Sequence, residues 1–446
     1  MNKTRYCNSK YNLIWKTKND AYLIFNTFTG ALKKVNEEEY KIIKEVLNKP
    51  FRYNLDPPKT KEVYTLLIEG GFLVPETIKE INILRMKHRR EKFRNDILSL
   101  CIMPNLVCNF KCIYCFEASH PNKRMNENVQ NGVVNFIGNK IKEGCKILYV
   151  TWYGGEPLLE LPLILKLSRK IKEICKKNNC DYKEFLTTNG YLLNNKTLQL
   201  LKDLNLKGIQ ITLDGPPDIH NKHRPLKDGG ETFDTIFNNF MNLLNSSFIK
   251  KLECIKLRVN FDEESFNHTS EILDFIPRKF RSIITVYFSR IFKNVTWTDS
   301  NKKSLVKPCI QDTSFKTATT LSKIALEKGY KLSRLPSSGK SLHCLSNLFN
   351  FFLIDPEGKL HKCDVGMETL SPVGYIDKKG GYIINSTEMA KWMAIEPFEN
   401  SDCIKCKALP FCMGGCPLLK LLKLKRETCL FRNAQWLKNE AELLSP

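Results

Sequence analysis

Hydrophobic positions between residues 98 and 294 form short apolar runs that alternate with longer amphipathic stretches. Six of these runs are bounded by polar or turn residues and predict β-strands at residues 97–103, 147–153, 185–188, 209–213, 255–261 and 283–288. The intervening stretches have apolar residues at helical spacing near residues 127–142, 158–176, 194–204, 232–245 and 264–275. Alternating strands and helices favour a parallel sheet, and six repeats are fewer than the eight of a closed barrel. The sequence therefore predicts an α/β fold, a partial (β/α)6 TIM-like barrel over residues 98–294.

Residues 1–76 have a different pattern and predict a small domain of their own. Two short apolar runs predict paired strands at residues 11–15 and 21–25. Asn36 precedes three glutamates, a combination that is typical of a capped helix start. A second helix near residues 59–68 and a short closing strand complete a winged-helix-like order of elements.

Three further segments flank these two domains. Residues 77–97 are highly charged and predict a solvated helix that links the first domain to the barrel. Residues 295–340 are polar and weakly patterned, so we expect a bridge without much regular structure. Residues 341–446 contain many cysteines and only short predicted elements, which indicates a separate C-terminal domain.

Charge and cysteine content narrow the range of functions. The chain carries 70 Lys and Arg against 47 Asp and Glu, a formal net charge of +23. This excess favours acidic partners, but the lysines are scattered and the excess can also reflect a lysine-rich composition. The chain lacks a long apolar run and a signal-peptide pattern, so we expect a cytoplasmic protein with no membrane partner. In that reducing compartment, clustered cysteines among the 17 present more often hold metal than form disulfides.

The first cysteine cluster directly follows the first predicted barrel strand. Cys108, Cys112 and Cys115 have the spacing C-x3-C-x2-C. Three thiolates can hold three irons of a [4Fe–4S] cluster, and the fourth iron is then open to a small chelating molecule. A zinc site would need a fourth ligand, for which His120 is the nearby candidate.

With aromatic residues at Tyr114 and Phe116, this motif resembles that of the radical S-adenosylmethionine (SAM) enzymes. Further segments fit the family in order and position, each beyond a predicted strand: Gly154-Gly155-Glu156-Pro157, Thr187-Thr188-Asn189-Gly190, Thr212-Leu213-Asp214-Gly215-Pro216, and a stretch with His220 and Arg224. Each segment alone has the composition of a turn or a helix start, so the specificity lies in the ordered set.

The resemblance implies where SAM binds. The implied SAM-contacting residues are Tyr114, Gly154, Gly155, Glu156, Pro157, Thr188, Asn189, Thr212, Asp214 and Arg224. Among them, the two glycines allow close backbone approach, Glu156 is an anionic acceptor for the SAM ammonium, and Arg224 is the candidate partner of the SAM carboxylate. All lie at C-terminal strand ends, where barrel active sites are built.

A second set of cysteines resembles the SPASM domain, an extension that carries two auxiliary [4Fe–4S] clusters. The resemblance implies one cluster on Cys403, Cys406, Cys412 and Cys429, and another on Cys344, Cys363 and Cys416. The second cluster then has either Cys309 as a fourth ligand or an open iron. The total would be three [4Fe–4S] clusters, reduced by a flavodoxin or ferredoxin of low potential. A zinc ribbon over residues 403–416 is the alternative.

The resemblance also implies the reaction and its substrate. A radical SAM enzyme reductively cleaves SAM to methionine and a 5′-deoxyadenosyl radical, which removes a hydrogen atom from the substrate. SPASM-bearing relatives act mainly on peptides and proteins, and the N-terminal domain resembles the one that binds the leader of a precursor peptide. We therefore expect a maturase that forms a thioether or another side-chain crosslink in a ribosomally made peptide.

Two other functions are considered. An anaerobic sulfatase-maturating enzyme oxidises Cys or Ser to formylglycine, and Asp364, next to Cys363, matches the position of its general base; Asp364 is otherwise a polar neighbour of a cluster ligand. A DNA-binding iron–sulfur regulator is allowed by the net charge. However, residues 1–75 show no strongly basic recognition helix, and three glutamates begin the first helix, so we do not expect nucleic acid as a partner.

Overall fold

The computed structural model describes residues 5–17, 20–50, 58–115, 121–291, 312–332, 344–377, 379, 381–423, 437–438 and 441–442. The chain divides into two compact units. The first unit comprises residues 1–92, 334–344 and 395–446, and the second comprises residues 93–333 and 345–394. The segment expected to form one C-terminal domain, residues 341–446, is thus shared between the two units.

The described residues of the N-terminal part of the first unit form five strands and three helices. They are β1 Tyr6–Asn8, β2 Asn12–Lys16, β3 Tyr22–Asn26, β4 Leu32–Val35, α1 Glu37–Asn48, α2 Pro58–Glu69, β5 Leu73–Pro75 and α3 Glu80–Lys92. Strands β2, β3 and β4 form an antiparallel sheet, and β1 pairs with β5. Helix α1 begins as expected, because Asn36 accepts a hydrogen bond from the Glu39 backbone and the Glu39 side chain accepts one from the Asn36 backbone. The elements expected from the apolar pattern are present, with β1 and β4 in addition.

Helix α3 is not solvated on all sides, and the expectation of a solvated linking helix is wrong for one of its faces. Glu80, Leu84, His88 and Lys92 are buried there at intervals of four residues. Polar members of this face have partners within the first unit: Glu80 accepts hydrogen bonds from the Ser9 hydroxyl and from the backbone of Lys10, at 2.6 and 2.9 Å. The many charged residues of this segment therefore led to a wrong prediction for the face of α3 that is buried.

The second unit is built on six parallel strands in chain order, as the apolar runs predicted. The strands are β6 Ile97–Ile102, β7 Ile147–Trp152, β8 Asp181–Thr188, β9 Leu206–Thr212, β10 Cys254–Phe261 and β11 Ile284–Arg290. Strands β8 and β9 begin earlier than predicted, because polar residues at their starts interrupt the apolar runs.

Helices pack between these strands, and their apolar faces form the core. They are α4 Glu127–Lys142, α5 Leu161–Lys177, α6 Asn195–Leu201, α7 Pro217–His223, α8 Phe233–Asn245, α9 Ile272–Phe275 and α10 Arg278–Arg281, with short 3-10 turns at Pro157–Glu160, Ser247–Lys251 and Thr269–Glu271. Helix α5 buries Ile164, Leu167 and Ile171 at the expected helical spacing.

The parallel strands continue on both sides into an eleven-stranded sheet. The added elements are α11 Asp312–Glu327, β12 Lys331–Leu332, the 3-10 turn Leu345–Asn347, β13 Phe351–Ile354, β14 Lys359–His361, β15 Gly374–Ile376, β16 Tyr382–Ile384 and α12 Ser386–Met393. Strand β12 pairs with β11, and β13 pairs in parallel with β6. The expected bridge at residues 295–340 therefore contains a helix and a strand. The result is a large, mostly parallel α/β sheet.

The C-terminal part of the first unit is helical and packs on the N-terminal strands. It contains the 3-10 turn Pro397–Glu399 and the helices α13 Ser401–Lys405, α14 Leu409–Cys412 and α15 Pro417–Leu421. Leu13 and Phe25 share an apolar cluster with Phe411, and Tyr11 shares another with Leu409. Residues from the N-terminal and the C-terminal parts of the first unit thus share apolar clusters. None of the described helices is long and apolar enough to cross a bilayer.

Candidate functional site

A cavity opens where β6 to β10 end, and the three cysteines of the first motif line it. Cys108, Cys112 and Cys115 lie on the loop after β6. Backbone hydrogen bonds hold this loop, because Lys111 and Ile113 donate to the carbonyls of Pro225 and His223 at 2.9 and 3.0 Å. The loop is therefore attached to the last residue of α7 and to the segment that follows it.

The charge of these thiols depends on their surroundings. Burial raises the pKa of Cys108 to about 11. Burial also raises the pKa of Cys112, while the positive charge of Arg224 acts in the opposite direction. Because metal ligation requires thiolates, Arg224 supplies a countercharge for the ligand set.

The donors in this loop fit an iron–sulfur cluster. Three soft sulfur ligands line the cavity, and no His, Asp or Glu of the described residues lines it with them. No three Cys, His, Asp or Glu side chains in the described part of the chain lie close enough together to bind a single metal ion. A [4Fe–4S] cluster instead takes each thiolate on a different iron. His120, the fourth ligand of the zinc alternative, lies outside the described residues, as does Phe116.

The Gly-Gly pair after β7 packs directly on the chain that leads into the cysteine loop. A Cβ on Gly154 would lie 2.3 Å from the Asn105 carbonyl oxygen, and one on Gly155 would lie 2.2 Å from that of Val107. Gly154 also has a φ of +111°, which favours glycine. The glycines are therefore required for contact between two segments of this site.

Glu156 is fully buried and is surrounded by protein donors. Its carboxylate accepts hydrogen bonds from the Thr188 hydroxyl at 2.7 Å, the Asn189 backbone at 2.7 Å and the Leu158 backbone at 3.0 Å. Burial raises the pKa of Glu156, and these three donors act against that shift. The carboxylate thus ties the end of β7 to the end of β8.

The Tyr114 hydroxyl joins the cysteine loop to two strands and a helix end. It donates to Asp214 Oδ2 at 2.5 Å and accepts from Arg224 Nη1 at 2.8 Å and from Asn260 Nδ2 at 2.9 Å. The backbone of Asn260 donates to Asp214 Oδ1 at 2.9 Å. Since Tyr114 lies between Cys112 and Cys115, this network determines where the loop sits.

Arg224 is a buried cation with an unsatisfied donor. Its side chain lies over the Phe110 ring, 5.6 Å from the centroid, and its Nε has no hydrogen-bond partner in the described structure. Burial would lower its pKa, but Tyr114, Cys112 and Asp214 together raise the pKa above its ordinary value. Arg224 therefore stays charged and can bind an anion in the cavity.

The remaining predicted SAM residues fall into two groups. Those that line the cavity are Tyr114, Gly154, Gly155, Thr188, Asn189, Thr212 and Arg224. Glu156, Pro157 and Asp214 are buried, and none of them lines the cavity. Their contact with SAM stays a prediction, and the structure shows them holding neighbouring segments.

Sequence reasoning missed several cavity residues. They are Phe110, Tyr153, Gln210, Arg258 and Asn260, while Thr187 belongs to a predicted motif but was not predicted to contact SAM. Arg258 and Asn260 are separated by two positions on β10, so the period-two alternation of a strand places them on the same face. The alternation along β10 could have placed Arg258 on one face with Asn260 from the sequence, but it does not tell which face of the strand points into the cavity.

The cysteines of the second set are only partly described. Cys403, Cys406, Cys412 and Cys416 lie along α13 to α15 in the first unit, whereas Cys429 and Cys309 lie outside the described residues. Burial raises the pKa of Cys416, and nearby Cys344 raises it further. Cys363 belongs to the second unit. The ligand sets of the auxiliary clusters stay predictions.

Asp364 reaches the wall of the cavity through Tyr153. The Tyr153 hydroxyl donates to Asp364 Oδ2 at 3.4 Å, and Asp364 Oδ1 accepts from the Val365 backbone at 2.9 Å. Because Tyr153 lines the cavity next to Gly154, the predicted base is one side chain away from it.

Comparisons with known proteins agree with this geometry. Residues 102–276 match the model of the Radical SAM superfamily. Over 447 aligned residues the chain is 23% identical to the radical SAM cyclopropyl synthase TigE of Paramaledivibacter caminithermalis, covering 92% of this chain and 89% of that protein. It is 24% identical over 347 residues to a cysteine-type anaerobic sulfatase-maturating enzyme of Clostridium perfringens, covering 72% of this chain and 88% of that one.

A solved structure matches this chain over most of its length. SuiB of Streptococcus suis, bound to precursor peptide SuiA, has a TM-score of 0.52 at 13% identity, with 96% of this chain and 99% of that chain covered. At this identity the likeness concerns the fold.

Proposed function

This chain is a radical SAM enzyme, and from that premise we propose that it modifies a ribosomally made precursor peptide by forming a thioether or another side-chain crosslink. The observation that carries the proposal is the cavity in which three cysteines, the Gly-Gly segment and buried Arg224 meet. SAM and a [4Fe–4S] cluster are implied by the family, and we propose two auxiliary clusters in addition.

The residues of this chain have separable tasks in that reaction. A SAM-bound cluster supplies reductive cleavage of SAM and, from it, hydrogen-atom abstraction from the substrate. Cys108, Cys112 and Cys115 would hold the cluster, and Arg224 would bind the SAM carboxylate. The Tyr114 network holds the loop in place and so orients the groups that would bind the cluster and SAM. We propose that a low-potential flavodoxin or ferredoxin supplies the electron in the cytoplasm.

A peptide substrate is supported by the relatives and by the first unit. SuiB was solved with a precursor peptide, and in this chain the sheet β2-β3-β4 ends in the edge strand β4. Edge strands bind extended peptides by backbone pairing. Lys33 is exposed on β4 and would attract an acidic leader.

The proposal is tested with the anaerobically reconstituted full chain, SAM, dithionite and the short peptides encoded next to its gene. We expect 5′-deoxyadenosine and a product that has lost two hydrogen atoms and one alkylatable thiol. A peptide without its leader should react with a higher KM. Absence of any modified peptide, with 5′-deoxyadenosine still formed, would reject a peptide substrate among those tested.

Leader docking is tested separately by charge reversal on the edge strand. Deleting residues 1–76 would strip Leu13 and Phe25 from their cluster with Phe411, so a point variant is the cleaner choice. Lys33→Glu should raise the KM for the full precursor about threefold to tenfold while the leaderless peptide is unaffected. Lys41→Glu, an equal charge change at an exposed position of α1, is the matched control.

A second candidate is a sulfatase-maturating activity, which the Tyr153–Asp364 hydrogen bond favours. A base beside the cavity would remove the thiol proton of the substrate radical while a proposed auxiliary cluster accepts its electron, which gives a thioaldehyde that water hydrolyses to the aldehyde and sulfide. In that case a sulfatase peptide with a target cysteine would lose its sulfur and gain an aldehyde. Asp364→Asn should abolish that product and leave SAM cleavage intact; formation of the crosslinked product alone would reject this candidate.

A further inference from the structure

We propose that Arg258 is the binding residue for a carboxylate that enters the cavity with one of the two reactants, and that the peptide substrate is the favoured source. The choice of a peptide as the source of the carboxylate rests on the proposed function, whereas the carboxylate site itself does not. Arg258 lies on β10, two residues before Asn260, and lines the same cavity as the three cysteines. A binding role for Arg258 is not part of the predicted SAM site.

The guanidinium of Arg258 is oriented but only partly used. Its Nε donates to Asn260 Oδ1 at 2.9 Å and its Nη2 to the Ser289 hydroxyl at 3.4 Å, and its Cζ lies 5.8 Å from the centroid of the Tyr287 ring. All three partners are neutral. An arginine has five N–H donors, so these contacts fix the orientation of the Arg258 guanidinium and leave N–H donors for a further acceptor.

The charge of the cavity wall favours an anion. Two arginines, Arg224 and Arg258, line it, and among the described residues no Asp or Glu does so. Arg224 already belongs to a network with a carboxylate, since it donates to the Tyr114 hydroxyl, which in turn donates to Asp214. In the described part of the chain, the hydrogen-bond partners of the Arg258 side chain are neutral. A half-buried guanidinium there is best compensated by a carboxylate, which can take two parallel hydrogen bonds.

The position of Arg258 separates it from the cysteine loop. Arg224 bonds directly to Tyr114 of that loop, whereas Arg258 reaches Tyr114 only through Asn260 and turns toward Tyr287 and Ser289 on β11. An anion bound at Arg258 therefore lies on the β11 side of the cavity. Because Arg224 is the proposed partner of the SAM carboxylate, we favour an Asp or Glu side chain or a C-terminal carboxylate of the substrate as the anion at Arg258.

The experiment uses the anaerobically reconstituted full chain and does not require the natural peptide. In the first arm, the KM for SAM is measured from 5′-deoxyadenosine formation without peptide. In the second arm, N-acetylglutamate amide and neutral N-acetylglutamine amide are tested for binding by saturation-transfer NMR at saturating SAM. The variants are Arg258→Gln and Arg258→Lys, and the control is Lys256→Gln, an exposed cation on the same face of β10.

A peptide source predicts that Arg258→Gln weakens binding of the glutamate probe about tenfold or more and leaves the KM for SAM unchanged. A SAM source predicts the reverse, a rise of similar size in the KM for SAM. Either result supports a carboxylate site. Arg258→Lys should bind the carboxylate less tightly than wild type but more tightly than Arg258→Gln, because lysine keeps the positive charge. If Arg258→Gln changes neither quantity, or if Lys256→Gln changes both equally, the inference is overturned. Both arms stand whether or not the chain proves to be a peptide maturase.

Discussion

The Tyr114 hydroxyl donates a 2.5 Å hydrogen bond to Asp214, which connects the cysteine loop to the end of β9. Asp214 is fully buried and also accepts from the backbone and the side chain of Asn260. A residue from a motif expected to contact SAM thus also holds the loop that would carry the cluster. The position of the cysteine loop therefore depends on the Tyr114 hydroxyl, and we expect SAM binding to depend on it as well.

Tyr114→Phe should therefore weaken SAM binding while keeping the ring in place. Loss of the hydroxyl leaves Asp214, Arg224 and Asn260 without a shared partner in a buried site, which costs about 1–3 kcal/mol. We expect the KM for SAM to rise about tenfold, with the cluster still assembled. The measurement is 5′-deoxyadenosine formation against SAM concentration. Tyr375→Phe, at a half-exposed position of β15, should behave as wild type.

Gly155→Ala should prevent proper assembly of the cysteine loop. Its Cβ would lie 2.2 Å from the Val107 carbonyl oxygen, and backbone must shift to make room. We expect iron content after reconstitution to fall by more than half, by analogy with overpacking costs of about 1–3 kcal/mol. Gly138→Ala on α4 is the matched control, since nothing lies within 4 Å of its added Cβ. That variant should be as stable as wild type or about 1 kcal/mol more stable; equal iron content in both variants would contradict the packing argument.

Cys112→Ala should remove the cluster that binds SAM. With one thiolate missing, we expect loss of 5′-deoxyadenosine formation and a lower iron content per chain. Cys254→Ala, at the start of β10 and remote from the cavity, should keep both. Iron analysis and absorption spectroscopy check the outcome. Retained SAM cleavage in the Cys112→Ala protein would remove the basis of the proposed reaction.

Glu156→Gln should loosen the junction between the ends of β7 and β8. The amide group of Gln cannot accept from all three donors, so one of the bonds from Thr188, Asn189 or Leu158 is lost inside the protein. We expect a loss of about 1–3 kcal/mol in unfolding free energy, measured by denaturant titration at neutral pH. An unchanged unfolding midpoint with strongly weakened SAM binding would instead place the carboxylate's main role in direct SAM contact.

Glu184→Gln should change how stability depends on pH. Glu184 is fully buried, and burial raises its pKa although the Ser168 and Tyr182 hydroxyls act against the shift. A carboxyl whose folded-state pKa is raised stabilises the fold below the unfolded pKa, and this contribution is lost as pH rises through the folded pKa. The stability of the variant relative to wild type should therefore increase from acid toward neutral pH, by about 1.4 kcal/mol for each unit of the shift.

The measurement for Glu184→Gln is the melting temperature of the full chain between acid and neutral pH. Glu127→Gln is the control, because Glu127 is exposed and its hydrogen bond with Lys166 lowers its pKa. Its relative stability should change little, and in the opposite direction. A flat difference between Glu184→Gln and wild type would show that the buried carboxyl titrates normally.

Local patterns predicted the six parallel strands and most of the cavity-lining motif residues. Each of these signals is short: alternating apolar runs for β6 to β11, and C-x3-C-x2-C or Gly-Gly-Glu-Pro directly after a strand. The carboxyl ends of neighbouring parallel strands meet at one edge of a sheet, so residues in those positions converge without further information. Thr188 and Thr212, although 24 positions apart in the sequence, line one cavity because each ends a neighbouring parallel strand.

Other features depended on contacts between distant segments and could not be read from such patterns. The buried face of α3 was hidden by its charges, because Glu80 and Lys92 find their partners far away in the chain. Strand β13 joins β6 although about 250 residues separate them, and the weak pattern before β12 gave no sign of a strand. The cavity position of Arg258 likewise depends on which face of β10 turns inward.

What amino-acid order alone established here is the cysteine set, the strand-end motifs and the alternation that arranges them, since each arises from chemistry and spacing within a few residues. Only the folded chain decided that the glycines pack on the Val107 segment, that Tyr114 joins Asp214 to Arg224, and that Arg258 shares their cavity. The physical reason is that hydrogen-bond networks and close packing join residues that are remote in sequence, and their geometry exists only when the strands are in register.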